Sequence, residues 1–156
     1  MEVTGFGIRV RACALIIENN SILLVEFDDE QVGVHYNLPA GGVEKGECIK
    51  EAVMREAREE ACIDVEVGQL AFVYEYMNKS ATVALHGVSM MFDCKIKSGM
   101  PKNSGNPDTN QTDVKWIPLS ELQDVLLFPD IRAEILEYVR SDKKNAIFIE
   151  DLSNRK

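Results

Sequence analysis

Between residues 47 and 60 the chain places Glu47, Arg55, Glu56, Glu59 and Glu60 at spacings that can do chemistry. Residues 48 to 61 lack Gly and Pro and are rich in Ala, Glu, Arg and Lys. They are therefore expected as a helix. At about 100° per residue, Ile49, Ala52, Val53 and Ala57 form one apolar stripe, which should face the protein body. Glu56 and Glu60 lie at nearly the same azimuth, with Glu59 at its edge. A solvated acidic face would lie opposite the stripe, not in line with it. Inward carboxylates this close cannot all stay ionised without compensation. A hard cation compensates naturally, because Mg²⁺ takes oxygen ligands and shares its shell with substrate phosphates. Glu51, Arg55 and Glu59 recur at spacing four, so Arg55 can brace Glu59 from the side. The bland alternative is a surface ion ladder. Gly41 and Gly42, just before the helix, let backbone approach a ligand closely, as any tight turn also would.

The elements that must hold this helix can be read around it. Ile8 to Ile17 begins as an apolar alternation and becomes a continuous apolar run, and Ile22 to Phe27 is a second strand candidate. Asn19-Asn20 between them reads as a hairpin turn. Asn37-Leu38-Pro39 is a short extended piece, since Pro39 pushes its predecessor away from helix. A compact loop is expected at Gly41-Gly42 and Gly46. Val65 to Met77 and Val88 to Ile96 are strand-like. Lys97 to Thr112, with Gly99, Pro101, Gly105 and Pro107, reads as a long loop. Val114 to Ile117 is a short strand, and Pro118 to Glu121 leads into a helical turn. Asp130 can cap a last helix, on which Ile131, Ile135 and Val139 recur at spacing four. The tail after Arg140 is polar at its end and expected to be loosely held.

Composition bounds the rest. The chain has 156 residues, enough for one domain with a sizeable core. Hydrophobic residues are 46% and charged residues 28%, which is a globular rather than a disordered balance. The formal net charge of -9 argues against a broad nucleic-acid footprint. It leaves room for a small phosphorylated substrate, because a bound divalent cation reverses the local sign of a carboxylate cluster. No stretch reaches the roughly 18 consecutive apolar residues of a membrane span, and the first residues lack a secretory pattern. A cytoplasmic location is expected. Cys13, Cys48, Cys62 and Cys94 form no CxxC pair, and His35 and His86 fall near no pair of them, so reduced thiols are expected rather than a zinc site.

The stretch Gly41 to Ile63, GGVEKGECIKEAVMREAREEACI, resembles the Nudix box. Gly41, Glu47, Arg55, Glu56, Glu59, Glu60 and Ile63 fall in register with that pattern. Leu38-Pro39-Ala40 and the run from Asp113 to Leu122 are also similar to the family. The resemblance covers roughly residues 8 to 140 of a single domain spanning residues 1–156, with a polar C-terminal tail. Three positions depart from the pattern. Cys62 replaces the terminal Gly, Ala57 is a small residue where an aliphatic one is usual, and Cys48 stands where Ser or Thr is frequent. The last departure predicts a weaker helix cap.

The resemblance implies the α/β class, an α/β/α sandwich around a mixed sheet. It implies Glu56, Glu59, Glu60 and the Ala40 carbonyl as ligands of Mg²⁺, with Mn²⁺ as a substitute. The catalytic set it implies is Glu56, Arg55, Glu59 and Glu47, with Glu56 the first choice of base and Asp113 or Asp108 as carboxylates outside the box. The implied activity is cleavage of a diphosphate linkage in a nucleoside diphosphate-linked substrate. The alternative is a Nudix-fold protein that binds a nucleotide without turnover. Expected partners are small nucleotides, with neither nucleic-acid polymer nor membrane, and a homodimer is an admitted assembly. Tyr76, Asp113 and Gly41 are candidate substrate contacts. Tyr74, Tyr76, Phe92 and Trp116 offer a stacking surface, or are simply core. The Pro of ADP-sugar enzymes would fall near Met77 or Asn78, and the Tyr of dinucleoside polyphosphate enzymes near Asn78 to Ser80. Both are absent, as is the SQPWPFPxS run of NADH-cleaving members, so the substrate stays open.

Overall fold

A computed structural model of the chain describes residues 7–78, 85–142 and 147–150. Asn19 and Asn20 both take positive φ, 50° and 59°. That is what a two-residue hairpin turn with the right-handed strand twist requires. They connect β1 (Arg9–Glu18) to β2 (Ser21–Asp29), which pair through Ile17–Ile22 and Glu18–Ser21. The N-terminal part of β1 pairs instead with β4 (Ala40–Gly42), as Arg11–Gly42, Ala12–Gly41 and Cys13–Ala40. Gly41 and Gly42 therefore belong to a strand, not to the compact loop expected from their type. β3 (Gly33–Asn37) precedes β4 and pairs with β2.

After α1 (Ile49–Ala61) come two long antiparallel strands, β5 (Asp64–Asn78) and β6 (Leu85–Ser98). β6 also runs parallel to β1, from Arg9–Gly87 to Ile16–Cys94. β7 (Gln111–Pro118) pairs with β2 and ends in a 3₁₀ turn over Leu119–Asp124. The long loop is thus shorter than expected, since β6 runs to Ser98 and β7 starts at Gln111. α2 (Arg132–Arg140) follows, then β8 (Ile147–Glu150), parallel to β5. Among the described residues eight strands form one mixed sheet in the order β3-β2-β1-β6-β5-β8, with β4 beside β1 and β7 beside β2.

β8 corrects the expectation of a loosely held tail, at least for residues 147–150. Ile147 and Ile149 pack against the core, which offsets the cost of ordering them. The polar end beyond Glu150 lies outside the described residues. α2 also differs in its start. Its N-cap is Ile131, while Asp130 accepts from the Arg132 backbone N–H at 3.5 Å and pairs with the Arg132 guanidinium at 2.8 and 3.0 Å. Ile131 and Ile135 are buried as their spacing predicts, and Tyr138 rather than Val139 fills the next inward position.

Strand alternation divides the core between the two faces of the sheet. Ala12, Ala14, Ile16, Leu23 and Val114 face α1, where they meet Ala52, Val53, Ala57 and Ala61. Cys13, Leu15, Ile22, Leu24 and Met91 face the other way, onto Leu122, Ile131, Ile135 and Tyr138. The result is the expected three-layer α/β/α sandwich.

Candidate active site

α1 is held at both ends by contacts that its own sequence does not announce. At its start, Cys48 supplies no strong cap, and the carboxylate of Glu51 accepts from the Cys48 backbone N–H at 2.9 Å. Cys48 and Glu51 thus form a capping box, which takes Glu51 out of the expected ladder with Arg55. At its end, Cys62 adopts the left-handed conformation (φ 58°, ψ 35°) and donates its N–H to the Arg58 carbonyl at 3.1 Å. The carbonyl of Ala61 accepts from Lys102 N–H at 3.1 Å, and that of Glu60 from Gln111 Nε2 at 3.0 Å. Gln111 is 6% exposed and also donates to Asn103 Oδ1 at 2.8 Å. The segment between β6 and β7 thus closes the helix C-terminus. Nothing in the sequence singles out Gln111, because its partner Glu60 lies far back along the chain.

On the helix itself the azimuth argument holds for two of the three carboxylates. Glu56 and Glu60 are 8% and 4% exposed. The Glu59 side chain, at the edge of the stripe, is 58% exposed. Arg55 gathers the cluster. Its Nε and Nη2 donate to the two oxygens of Glu47 at 2.7 and 3.0 Å, and Nη2 also reaches the Gly42 carbonyl at 2.9 Å. Its Nη1 donates to Glu56 Oε1 at 2.6 Å and to Glu59 Oε2 at 3.3 Å. The bidentate bond to Glu47 is the larger commitment, and it raises the Arg55 pKa while holding the Glu47 carboxyl below its ordinary value.

Glu60 reaches the strand layer. Its Oε1 accepts from the Ala40 backbone N–H at 3.0 Å. Ala40 therefore meets the cluster through its N–H. Burial pushes the Glu60 pKa up to about 8, helped by nearby Glu56 and Asp108 and opposed by the Ala40 N–H. Gly41 completes the arrangement. A Cβ there would fall inside the Glu56 carboxylate, so the side chain that glycine lacks is the space that Glu56 occupies.

Among the described residues no three acidic, His or Cys side chains already converge as a metal cage. Arg55 Nη1 lies on both Glu56 and Glu59. The donor chemistry nevertheless fits a hard divalent cation. The donors are carboxylate oxygens, those of Glu56 and Glu60 buried together, and burial raises the Glu60 pKa, a cost that a cation beside the pair would offset.

The remaining candidates lie apart from this cluster. Asp113 is on β7 opposite Glu26, on the α2 side of the sheet, and its Oδ1 accepts from Val114 N–H at 2.8 Å. Asp108, in the loop, is the outside carboxylate that reaches Glu60 electrostatically. Tyr76 lies on the α2 side, its ring over Gly87, where a Cβ would collide with it. Phe92 is buried core, Tyr74 packs against the α2-side core, and Trp116 is 38% exposed. Residues 79 and 80, within the window for a dinucleoside-polyphosphate Tyr, lie outside the described residues.

The profile described as the NUDIX domain matches residues 7–139, which include every carboxylate of the cluster. The chain belongs to the Nudix family. A human relative, 8-oxo-dGDP phosphatase NUDT18 of Homo sapiens, is 28% identical over 129 residues. That alignment covers 80% of this chain and 38% of the relative, so the chain spans well under half of that protein's length. A NUDIX hydrolase from Nitrosomonas europaea superposes with a TM-score of 0.73 at 23% identity, covering 88% of this chain and 92% of that one. A MutT NUDIX hydrolase from Burkholderia pseudomallei does so at 0.65 and 27% identity, covering 83% and 95%. These likenesses confirm the Nudix fold read from the box.

Proposed function

We propose that this Nudix chain is a Mg²⁺-dependent pyrophosphohydrolase, with Mn²⁺ as a substitute, acting on a nucleoside diphosphate-linked substrate. The observation that carries the reading is the burial of Glu56 and Glu60 together on the inward face of α1. Arg55 gives Glu56 one bond, from Nη1 at 2.6 Å, and its Nε and Nη2 to Glu47 and the Gly42 carbonyl, while Glu60 takes only the Ala40 N–H among the bonds described, so one guanidinium faces several carboxylates. Glu56, Glu59 and Glu60, with the Ala40 carbonyl, would hold the cation. A bound cation supplies charge shielding of the diphosphate and makes an attacking water more acidic.

The chain's own groups do the rest. Glu56 would serve as base toward the attacking water, with Asp108, whose charge is felt at Glu60, as the alternative carboxylate from outside the box. Arg55 orients Glu56 and Glu59, and Glu47 fixes Arg55 by a bidentate bond. Glu59, more exposed and on the longest Arg55 bond, is the carboxylate freest to turn toward a ligand. The name of the human relative, an 8-oxo-dGDP phosphatase, supports a nucleoside diphosphate as substrate.

The test is a panel assay of deoxynucleoside di- and triphosphates, their oxidised forms, ADP-ribose, diadenosine polyphosphates, NADH and CoA, each with Mg²⁺ and Mn²⁺. Diphosphate cleavage that stops on chelation is expected. Undiminished turnover in excess EDTA would overturn the mechanism. Nucleotide binding with no cleavage of any compound would favour the non-catalytic alternative.

A further inference from the structure

The segment between β6 and β7, residues 99–110, lies hard against the exit of α1. Gly99 takes a φ of +90°, and a Cβ on it would fall 2.7 Å from the Cys62 carbonyl oxygen. Lys102 donates its N–H to the Ala61 carbonyl at 3.1 Å. A relay of two side-chain amides then joins the segment to β7 and α1. Asn103 Nδ2 donates to the Thr112 carbonyl at 3.2 Å, which turns Asn103 Oδ1 to accept from Gln111 Nε2 at 2.8 Å. The same Gln111 nitrogen donates to the Glu60 carbonyl at 3.0 Å. Both partners of that nitrogen are acceptors, so the Gln111 amide can stand only this way round. Its Oε1 is left buried with no hydrogen-bond partner among the described residues. A buried unpaired oxygen costs free energy. Closing a helix end does not demand that cost, because water or backbone N–H groups serve as well.

We propose that Gln111, braced by Asn103, is a positioning residue that fixes this segment so that Asp108 stands toward Glu60; the proposal rests on the hydrolase reading above. Asp108 is tied to Gln111 directly, since its carbonyl accepts from the Gln111 N–H at 3.0 Å. Its charge is felt at Glu60, where it adds to burial and to Glu56 in raising the carboxyl pKa. A further carboxylate is not drawn to that place. Glu56 and Glu60 are already buried together there, and the C-terminal end of a helix carries partial negative charge. The fold therefore has to hold Asp108, and the backbone contact at Lys102 and the amide relay do so. A neutral amide suits the task, because it gives two donors from one nitrogen and adds no charge to the cluster. An isosteric Glu would turn both bonds into contacts between acceptors.

The experiment is a double-mutant cycle of wild type, Gln111→Met, Asp108→Asn and the double variant. It is read by calorimetric Mn²⁺ binding to the metal-free protein and by kcat on the nucleotide that the substrate panel selects. Each single variant should lose about 10–100-fold in Mn²⁺ affinity or in kcat. The double variant should lose no more than about twofold beyond Gln111→Met, because Asp108 is already displaced there. Asn103→Ala removes the brace at a half-buried position and carries the same cycle if Gln111→Met does not fold. Losses that multiply in the double variant would give Gln111 a path of its own and overturn the proposal. Wild-type affinity and rate in Asp108→Asn would overturn it too. A lower melting temperature for Gln111→Met, with Mn²⁺ affinity and kcat unchanged, would make the amide a helix-end clasp only and overturn it as well. If wild type binds Mn²⁺ and cleaves nothing, the hydrolase reading fails, while the binding cycle still decides the role of Gln111. If it neither binds nor cleaves, both fall.

Discussion

Replacing Cys62 by Gly should raise the melting temperature and leave kcat unchanged. Cys62 ends α1 with φ 58° and ψ 35°, a conformation that glycine adopts without a Cβ penalty. Holding a non-glycine residue there costs roughly 1–2 kcal/mol. Glycine gives back part of this through its larger unfolded-state entropy, about 0.4–1 kcal/mol. The side chain is only partly buried, so its removal leaves no closed cavity. The net gain is therefore about 0.5–1 kcal/mol, or a rise of roughly 1–4 °C for a chain of this length. The backbone bond to the Arg58 carbonyl is kept, because it uses the Cys62 N–H rather than the thiol. Thermal melts of wild type, Cys62→Gly and Cys62→Ala decide the matter. Ala keeps the Cβ and loses the sulfur, so strain predicts that only Gly stabilises. A clear drop for Gly, or equal behaviour of Gly and Ala, would refute the strain argument. A large loss of kcat would refute the claim that this departure from the box is chemically silent.

Glu56→Gln and Glu59→Gln should each lower kcat by about 10²–10⁴ in steady-state assays, while stability without metal holds or rises because carboxylate repulsion falls. Gly41→Ala should displace the Glu56 carboxylate from the strand, costing about 1–3 kcal/mol in chemical denaturation and a large part of kcat. Glu26 sits below its ordinary pKa of 4.5, because bonds from Lys115, Tyr36 and Thr112 outweigh its desolvation. Its stabilisation is therefore present above about pH 4.5 and lost as pH falls below it; denaturation of wild type and Glu26→Gln across pH 3–7 should show the gap between them narrowing on the acid side. A gap that is constant with pH would remove the ionic role of Glu26.

Local pattern carried the reading of α1 a long way. Its limits, its inward stripe and the burial of Glu56 and Glu60 follow from helical periodicity, which needs only neighbours within a few turns. The box pattern marked Cys62 as a position usually held by Gly but left its conformation open, and the structure gives it the left-handed one. The Asn19-Asn20 hairpin is equally local. Side-chain partners were less legible. Arg55 was read as bracing Glu59, which it does at 3.3 Å, but its shorter bonds go to Glu47 and Glu56, because a guanidinium fork finds the best bidentate geometry wherever the fold offers it. Glu51 turned to the helix start for want of a stronger cap at Cys48.

Spacing along one short segment carried α1, its carboxylate cluster and the family. The tertiary structure decided what surrounds them. Only the pairing of β4 with β1 sets Gly41 beneath Glu56, and only the return of the chain at Gln111 closes the helix over Glu60. Such contacts join residues far apart in the chain. They are decided by which long loops close and which edges pair, and periodicity within a segment holds no record of either.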